Sequence, residues 1–248
     1  MPTDAYAQAL RSLGDLGPMR VWSLLVTVFG DLAPDRPLDG PTLSAIMGEI
    51  GIKPEASRVA LHRLRSDGWI ASEKKGRTSL HALTAQGQSD SDAARKRIYG
   101  ETQAETAVLI LTASVVDLDS TRFAQIAPRV YVADAYAALP NDAMRLAPET
   151  LPPWLGAQIE TEQMRDAYKS LHAVLTDITE ELTEDLTALE TAALRVLIVH
   201  AWRRLTLKHP DLPRAAHSAE WRGHDCRMLV AGLLARYPRP DLDAIKPA

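Results

Sequence analysis

The spacing of apolar positions changes along the chain, and each change marks an element. Met19 to Phe29 (MRVWSLLVTVF) is apolar on nearly every side, which predicts a helix buried all round. Gly30-Asp31 ends it, and DLAPDRPLDGP reads as a turn-rich loop. Leu43, Ile46, Met47 and Ile50 recur at spacings of three and four, predicting a short helix from Leu43 to Glu49, capped by Thr42 and closed by Gly51. Pro54 suits the first position of a third helix. Its stripe Ala56, Val59, Ala60 and Leu64 is expected to face the core, leaving Glu55, Arg58, His62 and Arg65 on another face. Gly68 ends that helix. Trp69-Ile70 then opens a strand, Lys74-Lys75-Gly76-Arg77 turns, and Ser79 to Leu83 returns with Leu80 and Ala82 alternating against Ser79 and His81. Thr84 caps a fourth helix reaching Tyr99. A short helix, a tight turn, an arginine-bearing helix and a two-stranded wing outline a winged helix-turn-helix, an element that places one helix in the DNA major groove.

The flanking pattern is less regular. Residues 1–18 read as a loose helix or arm closed by Gly17-Pro18, followed by the winged module over 19–100. Residues 101–153 read as a small α/β middle domain and linker. Ala107 to Val116 and Arg129 to Ala133 are its expected strands, Ser120 to Ile126 a helix, and Pro140 to Pro153 a proline-rich connection. Residues 154–248 read as a helical C-terminal domain. It comprises one or two acidic amphipathic helices from Ala157 to about Thr187, a long helix from Leu186 to His209, a last helix from Glu220 to Tyr237, and a frayed tail. The fold class is α+β, mostly α.

Charge sharpens this picture. The net charge is −4, yet ten basic and five acidic side chains lie between Lys53 and Arg97. That leaves −9 on the rest, so one basic module sits on an acidic body. One cysteine, Cys226, excludes an internal disulfide and a Cys-rich zinc site. No apolar run is long enough to span a bilayer and the N-terminus has no secretory pattern, so a cytoplasmic setting without membrane contact is expected. No phosphate-loop, dinucleotide, nucleophile-elbow or zinc-protease motif occurs.

The candidate DNA contacts are Ser57, Arg58, His62 and Arg65 on the third helix and Lys74, Lys75, Arg77 and Thr78 on the wing. Arginine can grip guanine O6 and N7 together, and wing cations suit phosphates. The plainer readings are a solvated helix face and a polar hairpin. Arg63 has a structural alternative, pairing with Asp67, and Trp69 reads as core. His217, His224 and Cys226 match no metal-binding spacing, so neither metal nor cofactor is expected.

Several of these residues carry a resemblance. Arg63-Leu64, Asp67-Gly68-Trp69-Ile70, Gly76-Arg77-Thr78-Ser79 and Leu83-Thr84 resemble the PaaX family of repressors of phenylacetate catabolism. So do Val21 to Asp31, Leu197 to Leu205, Pro210-Asp211-Leu212-Pro213 and Trp221. The resemblance implies a homodimeric repressor of a catabolic operon with a winged helix-turn-helix, a small ferredoxin-like middle domain and a helical C-terminal domain for dimerisation and effector. It implies an inverted-repeat double-stranded operator, released by an aryl-CoA thioester such as phenylacetyl-CoA. The middle of this chain is short for that pattern and lacks its Trp-rich opening and Gly-Phe-Gly turn.

A CoA ligand needs cations for its phosphates and an apolar slot for its acyl group. Trp202, Arg203 and Arg204, with Arg129, Tyr131 and Trp154, are the candidates. For the two arginines at the helix end, favourable charge at a C-terminus is the plainer reading. Two other functions compete. One is a winged helix serving as a protein-interaction module without effector. The other is a metal-dependent nuclease using Asp117 or Asp119 of the middle domain; no enzyme is expected.

Overall fold

The computed structural model describes residues 4–100 and 105–245. The domain boundary drawn at Glu101 and the end of the tail past Ile245 therefore lie outside the described residues. The N-terminal segment is a docked helix, not a loose arm. α1 (Asp4–Asp15) buries Tyr6, Ala9 and Leu13, which its 3.6-residue period brings to one face. α2 (Val21–Thr27) does not stop at Gly30; it continues as a single π turn, Val28–Leu32, that buries Asp31 completely.

The basic module follows. β1 (Leu38–Asp39) leads into α3 (Gly40–Glu49), α4 (Pro54–Ser66), the hairpin β2 (Ile70–Lys75) and β3 (Thr78–Leu83), and α5 (Ala85–Tyr99). The strands form an antiparallel sheet in the order β1-β3-β2. Asp39 caps α3, accepting from Thr42 N at 2.8 Å, so Thr42 is the residue capped rather than the cap. Gly51 has φ +87°, and Ile52 N reaches Met47 O at 2.8 Å, the glycine-closed helix end that the sequence implied. Gly68, with φ +75°, ends α4 the same way, Trp69 N reaching Leu64 O at 2.9 Å.

In the middle, β4 (Ala107–Thr112), β5 (Ala124–Ala127), β6 (Val130–Asp134) and β7 (Ala143–Leu146) pair antiparallel in the order β5-β6-β4-β7. That is the strand order of a ferredoxin-like sheet, without its crossover helices. The expected helix from Ser120 to Ile126 is instead a turn entering β5, and the presumed linker contains β7.

Four α-helices follow among the described residues: α6 (Pro153–Ile159), α7 (Glu162–Glu181), α8 (Ala188–Thr206) and α9 (Gly223–Arg236). α8 begins with a reciprocal cap between Thr187 and Glu190, and every residue from Thr191 to Trp202 is buried. It packs on α1, α2, α3, α5, α7 and α9, so one core runs from Tyr6 to Ile245 through both ends of the sequence. The tail is not frayed as far as Ile245, since Leu242 and Ile245 are buried in that core.

Polar ties lock the basic module to the helical body. Arg195 donates to Asp31 at 2.9 and 3.1 Å with both groups buried, and Tyr99 OH donates to Asp31 at 3.0 Å. Trp202 Nε1 donates to Ile98 O at 2.9 Å, and Arg227 donates to the carbonyls of Arg97 and Gly100. Tyr6 OH donates to Glu49 at the end of α3. Burial and the neighbouring Asp31 push the Tyr99 phenol upward, so it stays a donor.

Candidate nucleic-acid interface

A cationic cleft opens between α3, α4 and the β2–β3 hairpin. Arg58, Leu61 and Arg65 form one wall, Arg77, Thr78 and Ser79 the other, and Gly40, Pro41 and Ser44 the end at the start of α3. Its shape follows from local sequence. Pro54 and Gly68 fix both ends of α4. Gly76, with φ +63° at the first central position, lets Lys75 pair with Thr78 across a two-residue turn. Thr84 Oγ1 donates to Gly68 O at 2.5 Å while accepting from Gly87 N, fixing the hairpin base to the start of α5.

The cleft gathers Arg58, Arg65, Arg77 and Thr78. His62 lies on the adjoining exposed face of α4, and Lys74 and Lys75 are exposed at the end of β2. Ser57 does not belong with them: it is 6% exposed and faces inward beside Ala60 and Leu64. Arg58 pairs with Glu55 at 3.5 Å with both side chains 75% exposed, so it is available to a ligand. Arg63 is more committed, at 3.6 Å from Asp67 and 5.5 Å over the Trp22 ring.

Two sequence-based assignments around this site change. His81 points inward, not outward. Its ring nitrogen Nδ1 is hydrogen-bonded to Ser72 Oγ at 2.7 Å, and the residue is 7% exposed. Burial and the nearby Arg65 hold its pKa below the usual histidine range. Val59, expected in the core, is 72% exposed, at the edge of a shallow groove shared with Arg20, Val21 and Trp22. Ser44 and the start of α3 escaped sequence reading; the Asp39-Gly40-Pro41 helix-start signal was the clue available.

The six effector candidates do not form one pocket. Trp202 is core, tied to α5. Arg203 donates to Ser23 O and Thr27 Oγ1, anchoring α2. Arg204 packs against Gly17 and borders a cleft between α1, α7 and α8 that also presents Asp15 and Asp166. Arg129 is exposed with φ +63° and donates to Ala113 O. Tyr131 is buried in the middle sheet, its hydroxyl donating to Val116 O at 2.7 Å. Trp154 is exposed on α6.

Asp119 accepts from Thr121 N and Oγ1, bonds that shape a turn and hold its carboxyl below the usual range; Asp117 is exposed. His217 bonds Glu160 and stacks on Trp221, and Cys226 is buried. Among the described residues no group of three or more His, Cys, Asp or Glu is arranged to hold a metal, and no helix is long and apolar enough to cross a membrane.

A basic, two-walled cleft on a small α/β module, carried by a larger helical body, has the charge distribution of a nucleic-acid-binding module. Comparison with known proteins agrees. Residues 20–87 match the family model described as PaaX-like protein, and residues 159–241 match that of the PaaX-like protein C-terminal domain. The chain is similar to the transcriptional repressor PaaX of Escherichia coli (strain K12), with 24% identity across 88% of this chain and 81% of the relative. Its fold is similar to that of an uncharacterized protein, Rv0674, of Mycobacterium tuberculosis, with a TM-score of 0.55 and 18% identity over 87% of this chain and 94% of that one. The chain belongs to the PaaX-like family, a family of transcriptional repressors and not of enzymes.

Proposed function

We propose that this repressor binds an operator as a homodimer through residues 20–87, acting as a winged helix-turn-helix. In this reading α4 enters the major groove and the β2–β3 hairpin follows the adjacent backbone. The observation that carries it is the convergence of Arg58, Arg65 and Arg77 on one open cleft. Phosphates supply the matching charge, and a guanine edge supplies the paired acceptors that Arg58 suits. Two modules in a dimer read an inverted repeat with half-site centres about one helical turn, or a multiple, apart.

Selection of duplexes from a random library by the full-length chain tests this. The expected product is such a repeat, with a preferred guanine in each half. Arg58→Ala is then expected to cost about 1–3 kcal/mol on the operator and to relax choice at that guanine alone. Equal losses on operator and scrambled duplexes would make Arg58 a phosphate contact.

The proposed release signal is an aryl-CoA thioester, supported by membership of the PaaX-like family and by the many ties from α8 and α9 to the module. An effector acts only by preferring one arrangement of those parts over another. Saturating phenylacetyl-CoA is expected to weaken operator binding about 5- to 150-fold, the usual range of coupling, whereas phenylacetate alone leaves it unchanged. Electrophoretic mobility shift with both compounds decides. Arg204→Ala tests the cleft between α1, α7 and α8: an undiminished response places the ligand elsewhere.

A further inference from the structure

Val59 is the one large apolar side chain of the basic module that stands out in solvent among the described residues; the others that are exposed lie at Leu111 or beyond. It projects from the middle of α4, next to Arg58 and one turn from Glu55, His62 and Arg63. A branched side chain gains nothing there from the core, and β-branching slightly disfavours a helix. On one flank it joins Val21, Trp22 and Ala56 in a shallow apolar groove whose rim carries Arg20, Arg63 and one acid, Glu55. On the other flank lies the Arg58–Arg65–Arg77 cleft.

Arginines flank Val59 on both sides, Arg20 and Arg63 on one and Arg58, Arg65 and Arg77 on the other. They suit a polyanion that also offers one small apolar group. The major groove of DNA offers such a group, the C5 methyl of thymine. We propose that Val59 reads a thymine methyl within a base pair or two of the guanine faced by Arg58. The inference rests on α4 being the helix that enters the major groove, and it adds a second specificity-determining residue to it.

Deoxyuridine differs from thymidine only by that methyl, so it isolates the contact. The full-length protein is titrated against its selected operator with each thymine of the half-site replaced singly by deoxyuridine. One position is expected to weaken wild-type binding about fourfold, as burial of one methyl predicts. Val59→Ala is expected to lose a similar factor on the thymine duplex and to be indifferent to uracil at that position. Because Val59 is exposed, the variant should melt with the wild type. Tight binding that no uracil weakens, or a Val59→Ala variant as sensitive to uracil as the wild type, overturns the assignment while leaving operator binding intact. Loss of dimer by Val59→Ala in sedimentation would make this face a subunit interface and overturn it too. Failure of the wild type to select any duplex removes the operator reading itself, and this contact with it.

Discussion

Replacing Asp31 by Ala is expected to destabilise the protein by about 3–5 kcal/mol, the cost of stranding a buried charge. Asp31 is fully buried, and its carboxylate takes both a 2.9 Å and a 3.1 Å bond from Arg195, whose side chain is 5% exposed. Tyr99 OH adds a third bond and Arg239 stands 3.6 Å away. Arg195 also donates to Leu234 O and Tyr237 O, so it cannot swing out to water without breaking the end of α9. Removing the carboxylate leaves that guanidinium inside without its counter-charge. For a chain of this size the loss lowers the melting temperature by roughly 6–20 °C. Arg36–Asp243 provides the internal control. It is closer, at 2.6 Å, but its side chains are 46% and 76% exposed, so Asp243→Ala should change stability by under about 1 kcal/mol. Urea unfolding of both variants makes the comparison, and equal shifts would show that the buried pair has no special weight. Replacing both partners with apolar residues of similar volume should recover much of the loss.

Asp31 also shows where the sequence misleads. Gly30-Asp31 has the form of a helix stop, yet the chain continues through one further π turn that sets Asp31 against Arg195 of α8 and Arg239 beyond the end of α9. The partners sit more than 160 residues away, beyond the reach of local pattern. The basic module was more legible because its signals are local. Pro54, Gly51, Gly68 and Thr84 mark ends that backbone chemistry alone dictates, and the positions found match them. The middle sheet was not. β5 and β6 join at Pro128-Arg129, where a turn of this kind favours glycine at its positive-φ position. Arg129 holds φ +63° without that signal, so the hairpin was hidden and β5 passed for helix. β7 has four residues and little burial, hence no alternation to read. In α1 the spacing of Tyr6, Ala9 and Leu13 was visible, but only the partners α7 and α8 turn it into a docked helix. In the candidate site, charge pattern located Arg58, Arg65 and Arg77, and helical period misplaced Val59, because a stripe is core only where another element covers it.

Removing the wing cations together, as Lys74→Ala, Lys75→Ala and Arg77→Ala in one chain, is expected to weaken operator binding about a hundredfold near physiological salt. Each cation that neutralises a phosphate on duplex DNA releases counterions and adds about 0.9 to the slope of log affinity against log salt. Three such contacts carry a slope of about 2.7, which between roughly 1 M and 0.15 M salt amounts to about two powers of ten. The side chains are free to act this way. All three are exposed, on a hairpin whose register sets Lys74 opposite Ser79 and Lys75 opposite Thr78, and no ion pair to them is found among the described residues. The fold should be indifferent to the change, since none contributes to the core. Two features separate this outcome from damage to base reading. The loss should be the same on operator and scrambled duplexes, because phosphates carry no sequence. It should also shrink as salt rises, the triple variant converging on the wild type near 1 M. Fluorescence anisotropy across a salt series measures both. An unchanged slope would mean that the hairpin does not lie along the backbone, and α4 alone would then have to supply the electrostatic part of binding. A loss confined to the operator would instead place the hairpin in a groove, with Arg77 at a base edge.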